Sequence, residues 1–284
     1  MKTLLLITLL NFVFLSSFPQ IHSCQLINRE SGQPVSYANI GITGENIGTV
    51  SDDSGRFKIA LDPKFDNDAL RISCIGYEET TYLVRDFKEA AGNAGQFKIE
   101  LLPKSYLLDE VIIQPVDTET YTLGNFCESN SPYGNAFYSD MLGTEMGVVI
   151  ILPRRKKEAL LKSFRFYVGE FTYDTFPVRL NVYNLKDDQP HENILAEPIF
   201  LEISSVGEYN IDLEKFNIRT NGPFFISLEY YRIADQAEGK LTFCAVHRRK
   251  MNDGNGYYRL TSHGDWKREM FDNVGFSVEV ECEK

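Results

Sequence analysis

Histidine is scarce in this chain: four in 284 residues, at positions 22, 191, 247 and 263. A zinc-protease helix needs two histidines one turn apart with a glutamate between them. His191-Glu192 begins that way, but Leu195 stands where the second histidine belongs. A nucleophile elbow is also missing, since Gly275-Phe276-Ser277-Val278-Glu279 lacks the closing glycine. No glycine-rich phosphate loop occurs. The five cysteines form no C-x-x-C pair, which removes the usual zinc-ribbon and redox spacings. Basic residues number 29 against 40 acidic ones, a formal charge of −11. Such a surface repels phosphate backbones, so no nucleic-acid partner is expected. After residue 15 no apolar run approaches the roughly 20 residues a membrane helix needs. Helical periodicity is nearly absent, and only Asp86–Ala91 reads as a short helix.

The opening residues have the pattern of an export signal over 1–23. Lys2 gives a positive start, Leu4 to Leu15 is apolar apart from Thr8 and Asn11, and the small residues Ser16, Ser17 and Ser23 follow. The expected location is exported: periplasm, outer-membrane surface or secreted. Ile21-His22-Ser23-Cys24 is similar to a lipobox, with His22 departing from the usual small or apolar residue. Two readings stay open, lipidation at Cys24 or ordinary cleavage near Ser23. A lipid anchor would be the only membrane attachment. Cys74 and Cys244 lie inside apolar runs and read as buried thiols. Export permits disulfides, and Cys127 with Cys282 would close the second half.

Residues 24–113 carry the clearest organisation. Pro34 has no donor and suits a strand's first residue. Val35, Tyr37 and Asn39 alternate with Ser36, Ala38, Ile40 and Ile42, a strand period. Asp52-Asp53-Ser54-Gly55 is turn chemistry. The same side chains are oxygen donors of the calcium-binding type, but a turn needs them equally. Further runs at Phe57–Ile59, Leu70–Cys74, Thr80–Val84, Gln96–Leu102 and Asp109–Ile113 make about seven short strands, the count of a β-sandwich.

The motifs Gly32-x-Pro34-Val35-x-x-Ala38-x-Ile40, Gly48-Thr49-x-x-Asp52-x-x-Gly55-x-Phe57 and Ile75-Gly76-Tyr77 resemble the carboxypeptidase-regulatory-like module, as does Leu108-Asp109-Glu110-Val111. That resemblance implies a transthyretin-like, seven-stranded sandwich common in exported proteins of Bacteroidetes-type bacteria. Zinc carboxypeptidases hold their metal with a His-x-x-Glu pair, which this chain lacks. The resemblance is therefore to the accessory domain without a catalytic partner. The module also begins TonB-dependent receptors, but the 171 residues after Ile113 are too few for a plug and barrel.

Residues 114–144 are rich in Gly, Asn, Ser and Pro and read as a connector, packed by Tyr121, Phe126, Tyr133, Phe137 and Tyr138. From 145 to 284 short alternating runs recur: Met146–Leu152, Leu160–Val168, Val178–Val182, Pro198–Ile203, Tyr209–Leu213, Phe224–Tyr230, Leu241–Val246, Tyr257–Leu260 and Val274–Val280. They predict an all-β second domain, a jelly-roll-like sandwich of eight to ten strands. Arg154–Lys157 reads as a solvated turn, Asp187–Pro190 as a turn, and Asp187–Asn193 as a loop. The segment Gly207–Glu229 is similar to exported proteins that join the module to such a sandwich.

The functional expectation is a non-catalytic, exported cell-envelope protein, with no cofactor or metal, that binds a protein or glycan ligand or serves a structural role. An accessory to TonB-dependent uptake is the alternative. A hydrolase using His247 or His263 with a carboxylate is a third reading. Aromatic side chains that present an apolar body and a polar tip suit sugar faces. The candidate contact face is therefore Tyr167, Tyr231 and Trp266, although a lone Trp such as Trp266 more often caps a core.

Overall fold

A computed structural model describes residues 19–93, 97–104, 117–127, 131–138, 140–234, 239–247, 254–269 and 272–284. The body of the leader and the expected strand at Asp109–Ile113 lie outside the described residues.

The first half forms β1 (Gln20–Asn28), β2 (Asn39–Ile42), β3 (Gly48–Val50), β4 (Arg56–Leu61), β5 (Ala69–Ser73), β6 (Thr80–Leu83), α1 (Val84–Asn93) and β7 (Phe97–Leu101). They make two sheets, ordered β4-β1-β7 and β3-β2-β5-β6. The strict alternation of β4, with Phe57, Ile59 and Leu61 inward and Arg56, Lys58 and Ala60 outward, is what a half-buried strand requires. The core between the sheets holds Leu26, Ile40, Ile72 and Ile99, and α1 closes one end with Phe87. The helix expected at Asp86–Ala91 is present within α1.

One local reading needs correction. The strand expected from Val35 begins only at Asn39. Pro34 makes an isolated bridge to Ile27, and Tyr37 takes a left-handed φ of 57°. That turn interrupts the alternation and carries the Tyr37 ring out toward the second half. Cys24 lies in mid-strand, registered between Phe57 and Phe97, with its side chain in the core. Burial raises its thiol pKa to about 11. The Asp52–Gly55 turn is as expected: Asp52 Oδ1 accepts from the backbone N–H of Ser54 at 2.9 Å and Arg56 at 2.7 Å.

The second half contributes β8 (Thr118–Gly124), β9 (Gly134–Tyr138), β10 (Glu145–Ile150), β11 (Glu158–Phe171), β12 (Phe176–Lys186), β13 (Gln189–Asn193), β14 (Ile199–Ile203), β15 (Gly207–Asp212), β16 (Arg219–Asn221), β17 (Phe224–Glu229), β18 (Lys240–His247), β19 (Gly256–Arg259), β20 (Lys267–Arg268), β21 (Asp272–Val274) and β22 (Ser277–Glu283). A seven-stranded sheet runs β13-β12-β17-β10-β19-β20 with β14 on β12. An eight-stranded sheet runs β21-β18-β11-β22-β8, with β15 and β16 on β11 and β9 on β18. Their facing sides interleave Phe164, Phe166, Phe176, Phe243 and Phe276 with Val148, Val182, Ile226 and Leu228.

The described residues are thus all-β apart from α1 and two short 3-10 turns, and the second sandwich holds more strands than expected. The supposed connector supplies β8 and β9, paired to β22 and β18. Gly124 ends β8, Gly134 begins β9 and Asn135 lies within β9. Asp187 and Asp188 both take positive φ, 52° and 61°, as a two-residue hairpin of type I′ demands. The presumed loop after them is therefore strand β13. Cys127 pairs with Cys244 across 117 residues, which corrects both the buried-thiol reading of Cys244 and the Cys127–Cys282 pairing. Cys24, Cys74 and Cys282 are free.

Candidate functional site, the cleft between the two sandwiches

The strands β12, β17 and β10 of the seven-stranded sheet send one face into the second core and the other away from it. On β12, Val178, Leu180 and Val182 face the core. Arg179, Asn181 and Tyr183 face away from it, yet these too are buried. Register then lines up four side chains across four strands. Arg179 stands opposite Glu229 on β17, Glu229 opposite Glu145 on β10, and Glu145 opposite Arg259 on β19.

Two carboxylates directly opposite each other repel. Here the flanking groups compensate. Arg179 Nη2 donates to Glu229 Oε2 at 2.7 Å, and Arg259 Nη2 to Glu145 Oε2 at 2.6 Å. Asn181 Nδ2 lies between the two acids, 2.9 Å from Glu145 Oε1 and 2.8 Å from Glu229 Oε2. Ser227 Oγ donates to Glu145 Oε1 at 2.5 Å, and the Tyr183 hydroxyl donates to Glu145 Oε2 at 3.2 Å. Burial alone would pull the Arg179 guanidinium's pKa down, and the pairing with Glu229 reverses this and holds it above its ordinary value. Burial, then the neighbouring Glu145, drives the Tyr183 hydroxyl well upward.

The row is tied to the first sandwich. Arg179 donates to the Tyr37 carbonyl and to Asn39 Oδ1, both at 2.7 Å. The left-handed turn at Tyr37 presents that carbonyl, and its ring meets Phe200 and Tyr231 edge-on, with centroids 5.4 and 4.9 Å away. On the other side the segment Thr261–Gly264 is pressed against β2 and β3. A Cβ on Gly41 would stand 2.1 Å from the Ser262 carbonyl oxygen, and one on Gly48 2.5 Å from it. Only glycine permits that approach. His263 sits beneath, its Nε2 3.3 Å from both Ser73 Oγ and the Asn39 carbonyl. Burial, with Arg259 and Arg71 nearby, lowers its pKa well below the usual value, so the ring is neutral.

Beside these ties a cleft of about 560 Å³ remains open. Its floor is Asn39, Arg179, Asn181, Tyr183, Arg259 and His263. Its rim carries Arg71 and Glu79, an ion pair, with Tyr77 and Asn193.

The expected contact face is not one surface. Trp266 packs on Tyr183 and Phe225, centroids 5.9 and 5.0 Å away, with the Arg259 guanidinium 4.7 Å over its ring. Tyr231 is buried at the seam against Tyr37 and Phe200. Tyr167 belongs to β11 in the opposite sheet, beside Phe126 and Arg165. The structure brings Trp266 and Tyr231 to one sheet and leaves Tyr167 on the other. Of the histidines in the hydrolase reading, His263 is at the seam. His247 pairs with Asp272 at 2.6 Å and stacks on Tyr133. His247 and Asp272 are also direct cross-strand partners, so the pair has a ladder position as well as a contact. Among the described residues no group of three or more metal-ligating side chains converges.

Arg179, Glu229, Glu145, Arg259 and Asn181 were not singled out from the sequence. Their signal was faint: charges of both signs on the outward positions of strands whose inward positions are apolar. Only the register shows that they meet.

Residues 23–113 match the family model described as the CarboxypepD_reg-like domain. No curated protein matches the chain. Among solved structures, the cysteine protease and lectin-like domains of Cwp84, a surface-layer-associated protein of Clostridium difficile, align at 10% identity with a TM-score of 0.37. The alignment covers 94% of this chain and 59% of that one, so this chain spans about three fifths of its length. Clostridial Cwp84 after propeptide cleavage aligns at 13% identity, covering 94% and 71%, with a TM-score of 0.40. The VP2 subviral particle of infectious bursal disease virus aligns at 7%, covering 93% and 64%, with a TM-score of 0.23. Scores this low carry nothing about activity. No helix among the described residues is long and apolar enough to cross a membrane.

Proposed function

We propose, for a chain whose residues 23–113 form a CarboxypepD_reg-like domain, that it is an exported, non-catalytic protein of the cell envelope with a binding or structural role. One observation carries this reading. The densest polar constellation among the described residues, the Arg179–Glu229–Glu145–Arg259 row, joins two sandwiches through Tyr37 and Asn39. Its charges are matched to one another in pairs and buried. A catalytic acid or base instead needs a proton it can exchange with a substrate.

Export is supported by the positive, then apolar, start of the sequence. The Cys127–Cys244 disulfide supports it too, since such bonds persist in oxidising compartments. The structure also bears on where a leader would end. Gln20 to Ser23 pair with Leu61 to Lys58, and His22 is buried beside Phe87. Cleavage after Ser23 would remove those four positions from β1. The expected mature start is therefore upstream of Gln20, near Ser16 or Ser17.

Intact mass of the protein recovered from the native host's envelope or medium tests this. A leaderless mass starting before Gln20, with one disulfide, supports the reading. Cytoplasmic protein with the leader intact refutes export, and turnover of any substrate refutes the non-catalytic role.

A further inference from the structure

We infer that the cleft at the seam of the two sandwiches is a binding site for a neutral, hydroxyl-rich ligand, a saccharide. This rests on the reading of the chain as a binding protein and names what one site on it would take.

The cleft is built rather than incidental. Its floor side chains come from both sandwiches and are polar, yet more than nine-tenths buried: Asn39, Arg179, Asn181, Tyr183, Arg259 and His263. A volume of about 560 Å³ falls in the range of small-ligand pockets, which favour domain interfaces. Two of its arginines keep an N–H without an acceptor. Arg259 Nε on the floor and Arg71 Nε on the rim have no hydrogen-bond partner, and a buried donor left so is costly.

Charge selects the ligand class. The three lining arginines are already paired, Arg71 with Glu79, Arg179 with Glu229 and Arg259 with Glu145. A phosphate, sulfate or carboxylate would face those acids and compete with them for the same guanidinium groups. A cation would meet the arginines. A hydroxyl disturbs neither pairing, because it accepts from a spare N–H while donating to a carboxylate or amide oxygen. The walls offer such mixed partners in Asn181, Asn193, Tyr77 and Glu79. A peptide would want apolar sub-pockets, and the apolar side chains lining this cleft are few.

The test is calorimetry and array binding of the full mature chain. The probes are soluble neutral oligosaccharides of glucose, mannose, galactose and xylose units, their sulfated counterparts, and an unstructured peptide library. We expect at least one neutral oligosaccharide to bind and the sulfated form to bind no better. Arg71→Ala and Glu79→Ala, at partly exposed rim positions that leave the fold intact by melting temperature, should each weaken it about tenfold. A third variant, Glu79→Trp, should block the mouth. Tyr167→Ala on the opposite sheet should change nothing.

The site assignment is overturned if no neutral oligosaccharide binds, if only sulfated glycans or peptides bind, or if both rim variants bind like the parent. It is also overturned if Tyr167→Ala abolishes binding, which would place the ligand on the other sheet. None of those outcomes touches the envelope reading. Cleavage of the bound oligosaccharide would instead sink the non-catalytic role and leave the site standing.

Discussion

Arg179 is the side chain whose loss should cost most. It makes two bonds to Glu229, at 2.7 and 3.2 Å, and two to the first sandwich, to the Tyr37 carbonyl and Asn39. Arg179→Met keeps much of the volume and removes the charge. Glu229 then stays buried without its arginine, with Asn181 as its remaining side-chain donor. Removing one partner of a buried ion pair costs about 3–5 kcal/mol. In Arg179→Met/Glu229→Gln the stranded charge disappears as well. What is then lost is the pair of bonds across the seam, about 1–3 kcal/mol for two at ordinary net values. The double variant should therefore be more stable than Arg179→Met alone. Urea unfolding followed by Trp266 fluorescence, which reports the second sandwich, and by far-UV circular dichroism, which reports both, measures this. The parent should unfold with coincident transitions because the halves share the network, and Arg179→Met should split them. The reasoning fails if Arg179→Met costs under about 1 kcal/mol, or if adding Glu229→Gln destabilises it further.

Stability should also respond to pH through two buried groups with opposite signs. The folded pKa of His263 is lowered, so its contribution is lost as pH falls below the unfolded value near 6.5 and the unfolded chain takes up the proton. His263→Gln should flatten that acid-side loss in pH-dependent melting curves. Glu269, raised by burial from 4.5 to about 7, stabilises the fold below pH 4.5, and that contribution is lost as pH rises through 7. Glu269→Gln should shrink the difference in stability between pH 4.5 and 8 by about 3 kcal/mol, from about 2.5 pH units at 1.36 kcal/mol each. Reducing the Cys127–Cys244 bond should lower stability by about 2–5 kcal/mol, read as a shift of the denaturant midpoint, while Cys127→Ala/Cys282→Ala should show the same shift as Cys127→Ala alone. Gly41→Ala places a methyl against the Ser262 carbonyl, and small-angle scattering should show the two sandwiches parted, where an unchanged radius of gyration would refute the close approach.

Much of the fold was legible because it is written locally. Phe57-x-Ile59-x-Leu61 and Val178-x-Leu180-x-Val182 each state their inward face without any knowledge of partners. The Asp-Asp-Ser-Gly turn states its own hydrogen bonds. What failed were features decided at a distance. Tyr37 breaks a strand pattern because its carbonyl and ring have partners 142 and 194 residues further on. Thr118–Gly124 and Gly134–Tyr138 look like linker because their edges are polar, and they become strands by pairing with β22 and β18. The disulfide partner of Cys127 is set by the return of β18 past the start of β9, which no spacing rule encodes. The candidate site was the least legible part. Each of its members reads, in isolation, as the solvent side of a strand.

That last misreading has a physical basis. A sheet face made of Arg, Glu, Asn and Ser is compatible with water and compatible with burial, provided the second state pairs every charge. The facing surface of the first sandwich is built to the same rule, offering the Tyr37 carbonyl and the Asn39 amide to Arg179 and two glycines to the Ser262 carbonyl. An apolar face of similar size would dock at many angles and would adhere to other copies before docking, the liability of any large exposed apolar patch. A polar face satisfies its bonds at one angle only, because a shift of the first sandwich takes the Tyr37 carbonyl and Asn39 Oδ1 away from Arg179 together. The seam therefore fixes the relative setting of the two sandwiches through hydrogen-bond geometry. A cleft whose floor comes from both of them can hold its shape only if that setting is fixed.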